Sequence, residues 1–402
     1  MTPTRALIST IEPVDGGVPT MARLITRLLE EEGIEPVFAW YAPWSSYPKL
    51  SVPLPGLARG RRPSRMRAEA YGGHEGHGFG AWLPELEFTH YLPRRGWREL
   101  IASCDLHLAV TGNSFCATPF ARLGLPFLAW VATPWEADRV NRVRQFSAPR
   151  RLLDRQFNSR VLRRLERQVL RAPRGRILAL SSYTARSLEA IAGRAMDGVL
   201  RMPIDPTLFH RLPGLERPWH VGFSGRWTDP RKNIELLLAA VAHLVQQGRP
   251  VQLELIGEAE TAELRERIQG LGMGDRVHCH AHLQPTELAS VLQRLDLFVV
   301  PSHQEGLCIA ALEAMACGVP VVSTRCGGPE DYVLTDRTGQ LVNAEPEAMA
   351  AAIDAICGNR PRRQRLGAGA SGWVKSHASL EGARSTFRHH LAALRTSSAG
   401  DN

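Results

Sequence analysis

The chain has 402 residues, of which 44% are hydrophobic and 22% charged, and no stretch approaches the ~20 consecutive apolar residues of a membrane-spanning helix. This composition describes an ordinary globular protein with enough apolar material for two hydrophobic cores, and it argues against an integral helical membrane protein. The N-terminal residues 1–10 lack the basic start and apolar run of a signal peptide, and the seven cysteines include no CxxC pair. A reducing cytoplasm is therefore the expected location.

The formal net charge of +9 is concentrated in the first half of the chain. Residues 1–205 hold 29 Lys and Arg against 19 Asp and Glu, a balance of +10, so the remainder carries −1. Thirteen arginines fall within 139–176, where Asp154 and Glu166 are the only acidic residues. This stretch is either a solvated helix or a surface attracted to an acidic acceptor or to anionic lipid, which implies a peripheral position on the inner face of the membrane. Nucleic acid is not expected as a partner, because few aromatic side chains stand here for base stacking.

The first half of the chain predicts the alternating strands and helices of a parallel sheet. Between residues 41 and 97 the pattern breaks down into Pro-, Gly- and Arg-rich sequence, for which we expect long, partly mobile loops and one short strand. The predicted strands before and after this segment are 6–9, 37–40, 106–110, 127–131 and 177–180, and a helix is predicted at 19–32.

A second series of alternating predicted strands and helices follows a Pro-rich connector at 202–213. We predict an N-terminal α/β domain over 1–205, a C-terminal α/β domain over 206–375, and over 376–402 a helix that packs back on the first domain and ends in a disordered tail. Doubly wound domains bind ligands at the carboxyl ends of their strands, so two facing domains predict a central cleft. The strands of the second series are predicted at 220–223, 251–256, 276–280, 297–300 and 319–323.

A Glu-Gly pair, Glu305 and Gly306, follows the predicted strand 297–300 and predicts a helix start. The backbone N–H groups of Gly306, Leu307 and Cys308 would be free there, and the helix dipole would add partial positive charge. A phosphate group is the expected ligand. A second glutamate, Glu313, would lie ~12 Å beyond Glu305 if both were helical.

A glycine-containing loop after strand 220–223 is predicted to reach the same place. It carries Gly225 and Arg226, and Lys232 follows six residues after the arginine. Arginine binds phosphate oxygens bidentately and lysine binds them as a point charge, so the two can clamp a diphosphate from two sides. Such a loop alone is a weak signal, but together with the helix start it predicts a diphosphate site.

The segments SGRWTDPRKN, EGLCIAALEAMACGVPVV and GGPEDYVLTDRTGQLV resemble the nucleotide-sugar-binding domain of GT-B glycosyltransferases, specifically glycosyltransferase family 4, also called group 1. The resemblance covers about 220–345. It implies two Rossmann-like doubly wound domains that face a central cleft, with the donor held by the second domain and the acceptor by the first. It also implies a retaining reaction that needs neither a metal nor a cofactor, with a UDP- or GDP-linked sugar as co-substrate.

The resemblance assigns roles by position. Arg226 and Lys232 would hold the diphosphate and neutralise the leaving group, and Glu305 would contact the transferred sugar, so these three are the predicted catalytic residues. Glu313 would bind the ribose hydroxyls. The other predicted donor-binding residues lie in loops. They are Gly16, Gly17, Gly225, Gly306, Leu307 and Cys308. For Gly16 and Gly17, a plain strand-to-helix turn is nearly as good an interpretation.

One position departs from the family. Members commonly place a histidine that contacts the donor sugar just after the strand that here spans 127–131, whereas this chain has Ala132 and Thr133. Thr133 could bind a sugar hydroxyl, and Glu136 or Asp138 could anchor or deprotonate the acceptor. His74 and His77, within the predicted acceptor half, are further acceptor candidates.

A second group of histidines resembles a metal site. His278, His280 and His282 would share one face of a strand, which suits ligation. Outward-facing solvated histidines are the favoured interpretation, because the resemblance implies a strand here whose alternate residues, Val277 and Cys279, pack inward. The zincin-like spacing is also absent around His74, so no metal site is predicted.

The leading hypothesis is a metal-independent, retaining hexosyltransferase that acts in the synthesis of a glycan, polysaccharide, glycolipid or glycosylated metabolite. Its acceptor is unknown and would be a glycan, a lipid-linked sugar or a small molecule. The alternative, suggested by the missing histidine, is a GT-B-like nucleotide- or glycan-binding accessory protein with little or no transferase activity. An epimerase or phosphorylase of the same fold fits the order of the motifs less well.

Overall fold

The computed structural model describes residues 4–13, 16–143, 147–212 and 219–399. Its contacts divide the chain into two compact units, Met1–Leu200 with Arg384–Asn402, and Arg201–Ala383. The sequence-based boundaries fall at 205 and 375, whereas here residues 201–205 and 376–383 belong to the second unit. Among the described residues, no helix combines the length and apolarity needed to cross a membrane.

Unit 1 is built on an eight-stranded sheet in the order β3-β4-β2-β1-β5-β6-β7-β8. All neighbouring strands are parallel except β3, which runs antiparallel to β4 at the edge. Buried strand residues such as Leu7, Val37 and Ala129 meet helix side chains such as Leu188 in one core. The strands are β1 (Arg5–Thr10), β2 (Glu35–Tyr41), β3 (Arg65–Glu69), β4 (Glu75–Phe79), β5 (Leu106–Thr111), β6 (Phe127–Val131), β7 (Gly175–Ala179) and β8 (Gly198–Val199).

The helices of unit 1 present apolar faces to this sheet. The first buries Met21, Leu24, Ile25, Leu28 and Leu29 at helical spacing. The helices are α1 (Gly17–Glu31), α2 (Leu54–Leu57), α3 (Arg95–Ala102), α4 (Thr118–Arg122), α5 (Trp135–Val143), α6 (Ala148–Leu153), α7 (Ser159–Leu170) and α8 (Ser182–Ala192), and a π-helical turn, Asp154–Asn158, joins α6 to α7.

Unit 2 holds a six-stranded, all-parallel sheet in the order β11-β10-β9-β12-β13-β14. Its core packs the strands against α9 and α13, through residues such as Leu237, Val299 and Ile353. The strands are β9 (His220–Ser224), β10 (Gln252–Gly257), β11 (Val277–Ala281), β12 (Leu297–Val300), β13 (Val321–Thr324) and β14 (Gly339–Val342). The helices are α9 (Ile234–Gln246), α10 (Ala262–Gly270), α11 (Pro285–Leu292), α12 (Ile309–Ala316), α13 (Pro346–Cys357) and α14 (Arg360–His377).

The last helix, α15 (Leu380–Ala399), belongs to unit 1 from Arg384 onward. There Arg384 pairs with Glu31 at 2.8 Å and Arg388 pairs with Glu32 at 2.6 Å. Phe387, Leu391 and Leu394 are almost fully buried, so this helix completes the packing of the first unit.

The segment 41–97 is more regular than its sequence indicates. It contains α2, the paired strands β3 and β4, and short 3-10 turns, where loops and a single strand were expected. β3 reads Arg-Met-Arg-Ala-Glu and β4 reads Glu-Gly-His-Gly-Phe, so neither has the β-branched composition typical of strands.

Candidate active site in the second unit

The order of the strands places two loops of unit 2 side by side. The chain passes from β9 outward to β10 and β11, then returns to β12, which pairs with the other side of β9. The carboxyl ends of β9 and β12 therefore form a topological switch point, where open α/β sheets bind ligands. Gly225 follows β9 and Ser302 follows β12, so the two predicted donor loops meet at this point.

An ion pair joins the two loops. Lys232 Nζ lies 2.7 Å from Glu305 Oε1, with side chains that are 19% and 10% exposed. Ser302 Oγ donates a hydrogen bond of 2.7 Å to the same carboxylate oxygen. Burial opposes the charge on Lys232, but the carboxylate of Glu305 outweighs this and raises the pKa of the lysine. Lys232 is therefore held in its protonated form at the switch point, as one partner of an ion pair.

The turn that carries Lys232 is rigid. Asp229 Oδ1 accepts from the backbone N–H of Arg231 and caps the 3-10 turn Pro230–Lys232, while its Oδ2 lies 2.6 Å from Arg231 Nη2. Burial favours the neutral form of Asp229, but the guanidinium of Arg231, and then that of Arg226, lower its pKa to about 2. The backbone oxygen of Arg231 also accepts from His303 N, which ties this turn to the loop after β12.

Arg226 differs from Lys232 in its freedom. Its side chain is 69% exposed and makes one loose contact, 3.7 Å, with Asp229. Gly225 makes room for the lysine, because a Cβ there would lie 3.2 Å from Lys232 Cε. One cation is thus fixed by a carboxylate and the other is free to move toward an anionic ligand.

The predicted helix start at Glu305 and Gly306 is wrong. Glu305 forms an isolated bridge with Gly327, donating to Cys326 O and accepting from Gly328 N, and α12 begins only at Ile309. Cys308 stands before the helix in the left-handed region, at φ 64° and ψ 75°. The ~12 Å separation estimated for two helical glutamates therefore does not apply.

The backbone donors of this loop are still available in part. Within the described chain, the N–H groups of Leu307 and Cys308 donate no hydrogen bond, whereas Gly306 has a partner. They lie in the turn that leads into α12, close to the Lys232–Glu305 pair. The loop therefore offers main-chain donors beside a cation, as anion sites do.

Glu313 lies on α12 and is half-buried. Burial alone raises its pKa from the ordinary 4.5 to about 7. Its carboxylate makes no hydrogen bond or ion pair with any described residue. A desolvated carboxylate without a partner is suited to accept hydrogen bonds from ligand hydroxyl groups.

Two residues of the segment after β13 contact the backbone of the loop 306–308. Neither was identified from the sequence. The fully buried Tyr332 donates through its phenol to Leu307 O at 2.7 Å and lies 3.3 Å from Cys308 O. Gly328 packs against the same loop so closely that a Cβ would lie 2.3 Å from Gly306 O. Local sequence patterns could have identified two other residues of the site. Ser302 stands three residues before Glu305, and Asp229 belongs to an Asp-Pro turn signal.

A pocket of about 290 Å³ opens beside this loop at the carboxyl ends of β12, β13 and β14. It continues from Ser302, the residue that holds Glu305. Polar and apolar surfaces contribute about equally to its lining, which consists of Ser302, His303, Thr324, Arg325, Val342, Asn343 and Ala344.

The predicted donor glycines of unit 1 lie at the start of α1. Gly16 precedes the helix with φ 142°, a value that suits glycine, and Gly17 is its first residue. They follow β1, whose neighbours β2 and β5 make its carboxyl end the switch point of this sheet. A turn and a ligand loop would both be placed here, so both interpretations stay open.

The acceptor candidates after β6 have different surroundings. Thr133 is 7% exposed and its N–H donates to Gly112 O at 2.8 Å. Glu136 lies on α5 and pairs with Arg163 at 2.7 Å on the surface. Asp138 also lies on α5, and its side chain is outside the described part of the structure. Their assignment to the acceptor remains a prediction.

His74 and His77 each have a protein partner toward the amino ends of the strands of unit 1. His74 Nε2 lies 2.8 Å from Glu30 Oε1, and His77, only 1% exposed, lies 2.9 Å from Glu75 Oε1. Burial lowers the pKa of His77. Because Glu75 begins β4, these contacts lie toward the amino ends of the parallel strands, whereas ligands bind at their carboxyl ends. Their role in acceptor binding stays a prediction.

The histidine-rich strand β11 forms a carboxylate-centred cluster. Glu254 on β10 accepts from two sides, with His220 Nδ1 at 3.2 Å from Oε1 and His280 Nε2 at 2.6 Å from Oε2. Burial favours the neutral acid, but the two histidines lower the pKa of Glu254 to about 2. His278 is exposed, and His282 lies beyond the strand with φ 53°.

These features define a class of protein. Residues 209–373 match the family model described as "Glycosyl transferases group 1", and the two Rossmann-like α/β units constitute the GT-B fold. The second unit is therefore a group 1 glycosyltransferase domain.

Individual relatives agree with this assignment. The chain is 33% identical over 201 residues to the D-inositol 3-phosphate glycosyltransferase of Xylanimonas cellulosilytica, a match that covers 48% of this chain and 45% of the relative. The chain thus covers less than half the length of that relative.

Solved structures match almost the whole chain. Sucrose-phosphate synthase from Thermosynechococcus elongatus superimposes with a TM-score of 0.69 at 20% identity, over 97% of this chain and 100% of the other. The HepE protein of Anabaena, in complex with UDP-glucose, superimposes with a TM-score of 0.68 at 17% identity, over 97% and 99% of the two chains. At this level of identity the likeness concerns the fold.

Proposed function

We propose that this chain is a retaining, metal-independent glycosyltransferase of family 4 that transfers a sugar from a UDP- or GDP-linked donor to an acceptor hydroxyl. The observation that carries the proposal is the buried Lys232–Glu305 pair beside the main-chain donors of Leu307 and Cys308. A cation and free N–H groups at a switch point favour a diphosphate. The UDP-glucose bound by HepE is the kind of donor that this site would accept.

Each side chain has a step in the proposed reaction. The bond between the sugar C1 and the diphosphate oxygen breaks, and Lys232 with the exposed Arg226 stabilises the charge that develops on the leaving group. Glu305 uses Oε1 for Lys232 and Ser302, so its other oxygen can accept from a sugar hydroxyl. Glu313 would receive the ribose hydroxyls.

The acceptor hydroxyl then bonds to C1 on the face that the diphosphate leaves, and its proton passes to the departing phosphate oxygen. The two cations supply the positive charge that a metal ion supplies in other transferases, which supports metal independence. The acceptor would be a glycan, a lipid-linked sugar or a small molecule handled by the first unit.

A second candidate function rests on Thr133. This position follows β6, where related enzymes commonly carry a histidine, and its side chain is almost fully buried. A chain without that sugar contact would bind nucleotide or glycan as an accessory protein without turnover.

One assay separates the two candidates. The purified chain is incubated with UDP- and GDP-linked sugars, with and without EDTA, and nucleotide release, product anomer and nucleotide binding are measured. Turnover that survives EDTA and retains the anomer supports the transferase, and nucleotide binding without any turnover supports the accessory protein. Absence of binding to every donor contradicts both the transferase and a nucleotide-binding accessory protein. Lys232→Gln is compared with Arg267→Gln, which breaks an exposed 2.8 Å pair with Glu235 in the same unit.

A further inference from the structure

A basic surface with exposed apolar side chains lies on the helices between β6 and β7 of unit 1. Residues 147–171 contain eight arginines and only two acidic residues. We call the basic surface the set formed by Arg151, Leu152, Arg155, Phe157 and Arg160, all exposed and all on α6, the π-helical turn or α7. The predicted Arg-rich stretch 139–176 also includes 144–146, which lie outside the described residues.

Both acidic residues of this segment point away from solvent. Asp154 is 6% exposed and is held by Arg139, Asn158 and Ser159, while Glu166 is 2% exposed and accepts from Trp135 N at 3.0 Å. The carboxylates therefore neutralise nothing on the outer side. The exposed charge of the basic surface is entirely positive.

The π-helical turn explains how acidic and basic residues separate. Its wider winding buries Asp154 and Asn158, four residues apart, and leaves Arg155 and Phe157 between them exposed. Arg139 binds Asp154 and Glu87 and also lies 5.1 Å over the ring of Trp135, which fixes the turn from inside. α7 adds Arg160, Arg164 and Arg167 on its solvent face.

Two large apolar side chains stand among these arginines. Leu152 is 61% exposed and Phe157 is 49% exposed, although Phe157 also touches Phe88 edge to face at 5.9 Å between ring centroids. An isolated exposed Leu is unremarkable on a protein surface. Leu and Phe framed by exposed arginines, with no exposed carboxylate in the same segment, form the amphipathic pattern of interfacial membrane segments.

We propose that the basic surface docks the chain on an anionic lipid bilayer, with Leu152 and Phe157 entering the boundary between headgroups and acyl chains. The arginines complement the charge of anionic headgroups, and the apolar pair gains from leaving water. Nucleic acid is the less suitable partner, because Leu152 has no stacking role and the surface offers one exposed aromatic ring. The inference concerns unit 1 and does not depend on the proposed sugar transfer.

Sedimentation of the full chain with phosphatidylcholine vesicles, alone or mixed in equal parts with phosphatidylglycerol, tests the proposal. Binding is expected only to the anionic vesicles and is expected to weaken at high salt. Since each arginine near an anionic surface contributes about fivefold to partitioning, Arg151→Gln/Arg155→Gln/Arg160→Gln should bind about a hundredfold more weakly. Leu152→Gln/Phe157→Gln should lose affinity while retaining the salt dependence.

The matched control is Arg59→Gln/Arg62→Gln/Arg122→Gln, which removes the same charge at three exposed arginines outside the basic surface. It should bind vesicles nearly as the unmodified chain does, and all variants should show the same thermal melting. Equal binding to neutral and anionic vesicles, or equal losses for the two arginine triples, would overturn the proposal. Binding to duplex DNA or single-stranded RNA that exceeds vesicle binding and ignores the Leu152 and Phe157 changes would assign the surface to nucleic acid instead.

Discussion

Lys232 Nζ lies 2.7 Å from Glu305 Oε1, and this single contact joins the loop after β9 to the loop after β12. The partners are 73 residues apart in the chain, so the pair forms only when the switch point of the sheet is assembled. Removal of either charge from the candidate donor site is therefore expected to change the stability of the second unit.

Removing one partner of this pair is expected to cost both stability and activity. Lys232→Met or Glu305→Gln leaves a largely buried group without its counterpart, which typically destabilises by about 3 kcal/mol. The double variant should lose less than the sum of the single variants, as measured by urea unfolding in a double-mutant cycle. If the proposed function holds, Lys232→Met should also lower kcat by about a hundredfold. Additive stability losses would show that the pair is energetically unimportant.

Glu313 predicts a pH dependence of donor binding. Its pKa is raised by burial from 4.5 to about 7, so the folded protein holds a proton at pH 6 that the unfolded chain releases. Stability contributed by this group is present below pH 4.5 and is lost as the pH rises through about 7. Ribose hydroxyls donate to the ionised carboxylate, so binding should release a proton and strengthen between pH 6 and about 7.5.

Calorimetry in buffers of different ionisation enthalpy measures that proton. A nucleotide sugar is the suitable ligand, because its fully substituted diphosphate does not titrate in this range. Glu313→Gln should abolish the proton release and flatten the pH dependence. Proton release that persists in this variant would mean that another group titrates on binding.

Gly328 predicts a steric effect on the donor loop. A Cβ at this position would lie 2.3 Å from Gly306 O and 2.6 Å from Leu307 Cα, so Gly328→Ala must displace the backbone that carries the candidate donors. We expect weaker nucleotide binding and a loss of about 1–3 kcal/mol in the free energy of unfolding. Gly372→Ala is the control, because apart from the adjacent backbone of α14 no atom lies within 4 Å of its Cβ position. It should instead stabilise by about 1 kcal/mol.

These contacts show why sequence patterns identified part of the site only. Gly225, Lys232, Glu305 and Glu313 belong to local motifs whose chemistry is visible along the chain, and the structure brings the first three together. The helix start was placed too early because the bridge between Glu305 and Gly327 holds the loop extended, and that pairing is tertiary. Tyr332 was missed for the same reason, since its hydroxyl acts on a loop 25 residues away in the chain.

The fold was predicted most completely where strands are buried and apolar. Every strand predicted from such a run, 6–9 in the first half or 297–300 in the second, corresponds to a strand of the structure. One short strand was expected within 41–97, where the structure has the pair β3 and β4. The edge strand β3 gives a weak signal because it is half solvated and its exposed positions carry arginine and glutamate. Glycine at 76 of β4 is required by packing, since a Cβ there would lie 2.7 Å from the ring of Trp40.

Glu254 predicts a distinct pH effect on stability. The histidines at its sides hold its pKa at about 2, below the ordinary 4.5, so the contribution is present above pH 4.5 and is lost as the pH falls through about 2. Glu254→Gln should lower the free energy of unfolding at pH 6 by about 2–3 kcal/mol, with the difference vanishing near pH 2. Glu235→Gln, at an exposed pair, should change it by less than about 1 kcal/mol. Equal effects of the two variants at pH 6 would contradict the role of the cluster.

Tyr332 predicts a separation of donor binding from catalysis. Tyr332→Phe removes the hydroxyl that donates to Leu307 O at 2.7 Å, leaving a buried carbonyl unsatisfied at a cost of about 1–3 kcal/mol. Cys308 then loses a constraint on its left-handed conformation, and the N–H groups of the loop are no longer held toward the ligand. With the proposed function, the KM for the donor should rise while kcat changes less, because Lys232 and Glu305 remain paired.

Thr26→Val is the control for Tyr332→Phe: it removes a buried hydroxyl that donates to Ala22 O at 2.8 Å within unit 1. It should leave the KM unchanged, whereas a similar rise in both variants would reduce Tyr332 to a general structural role.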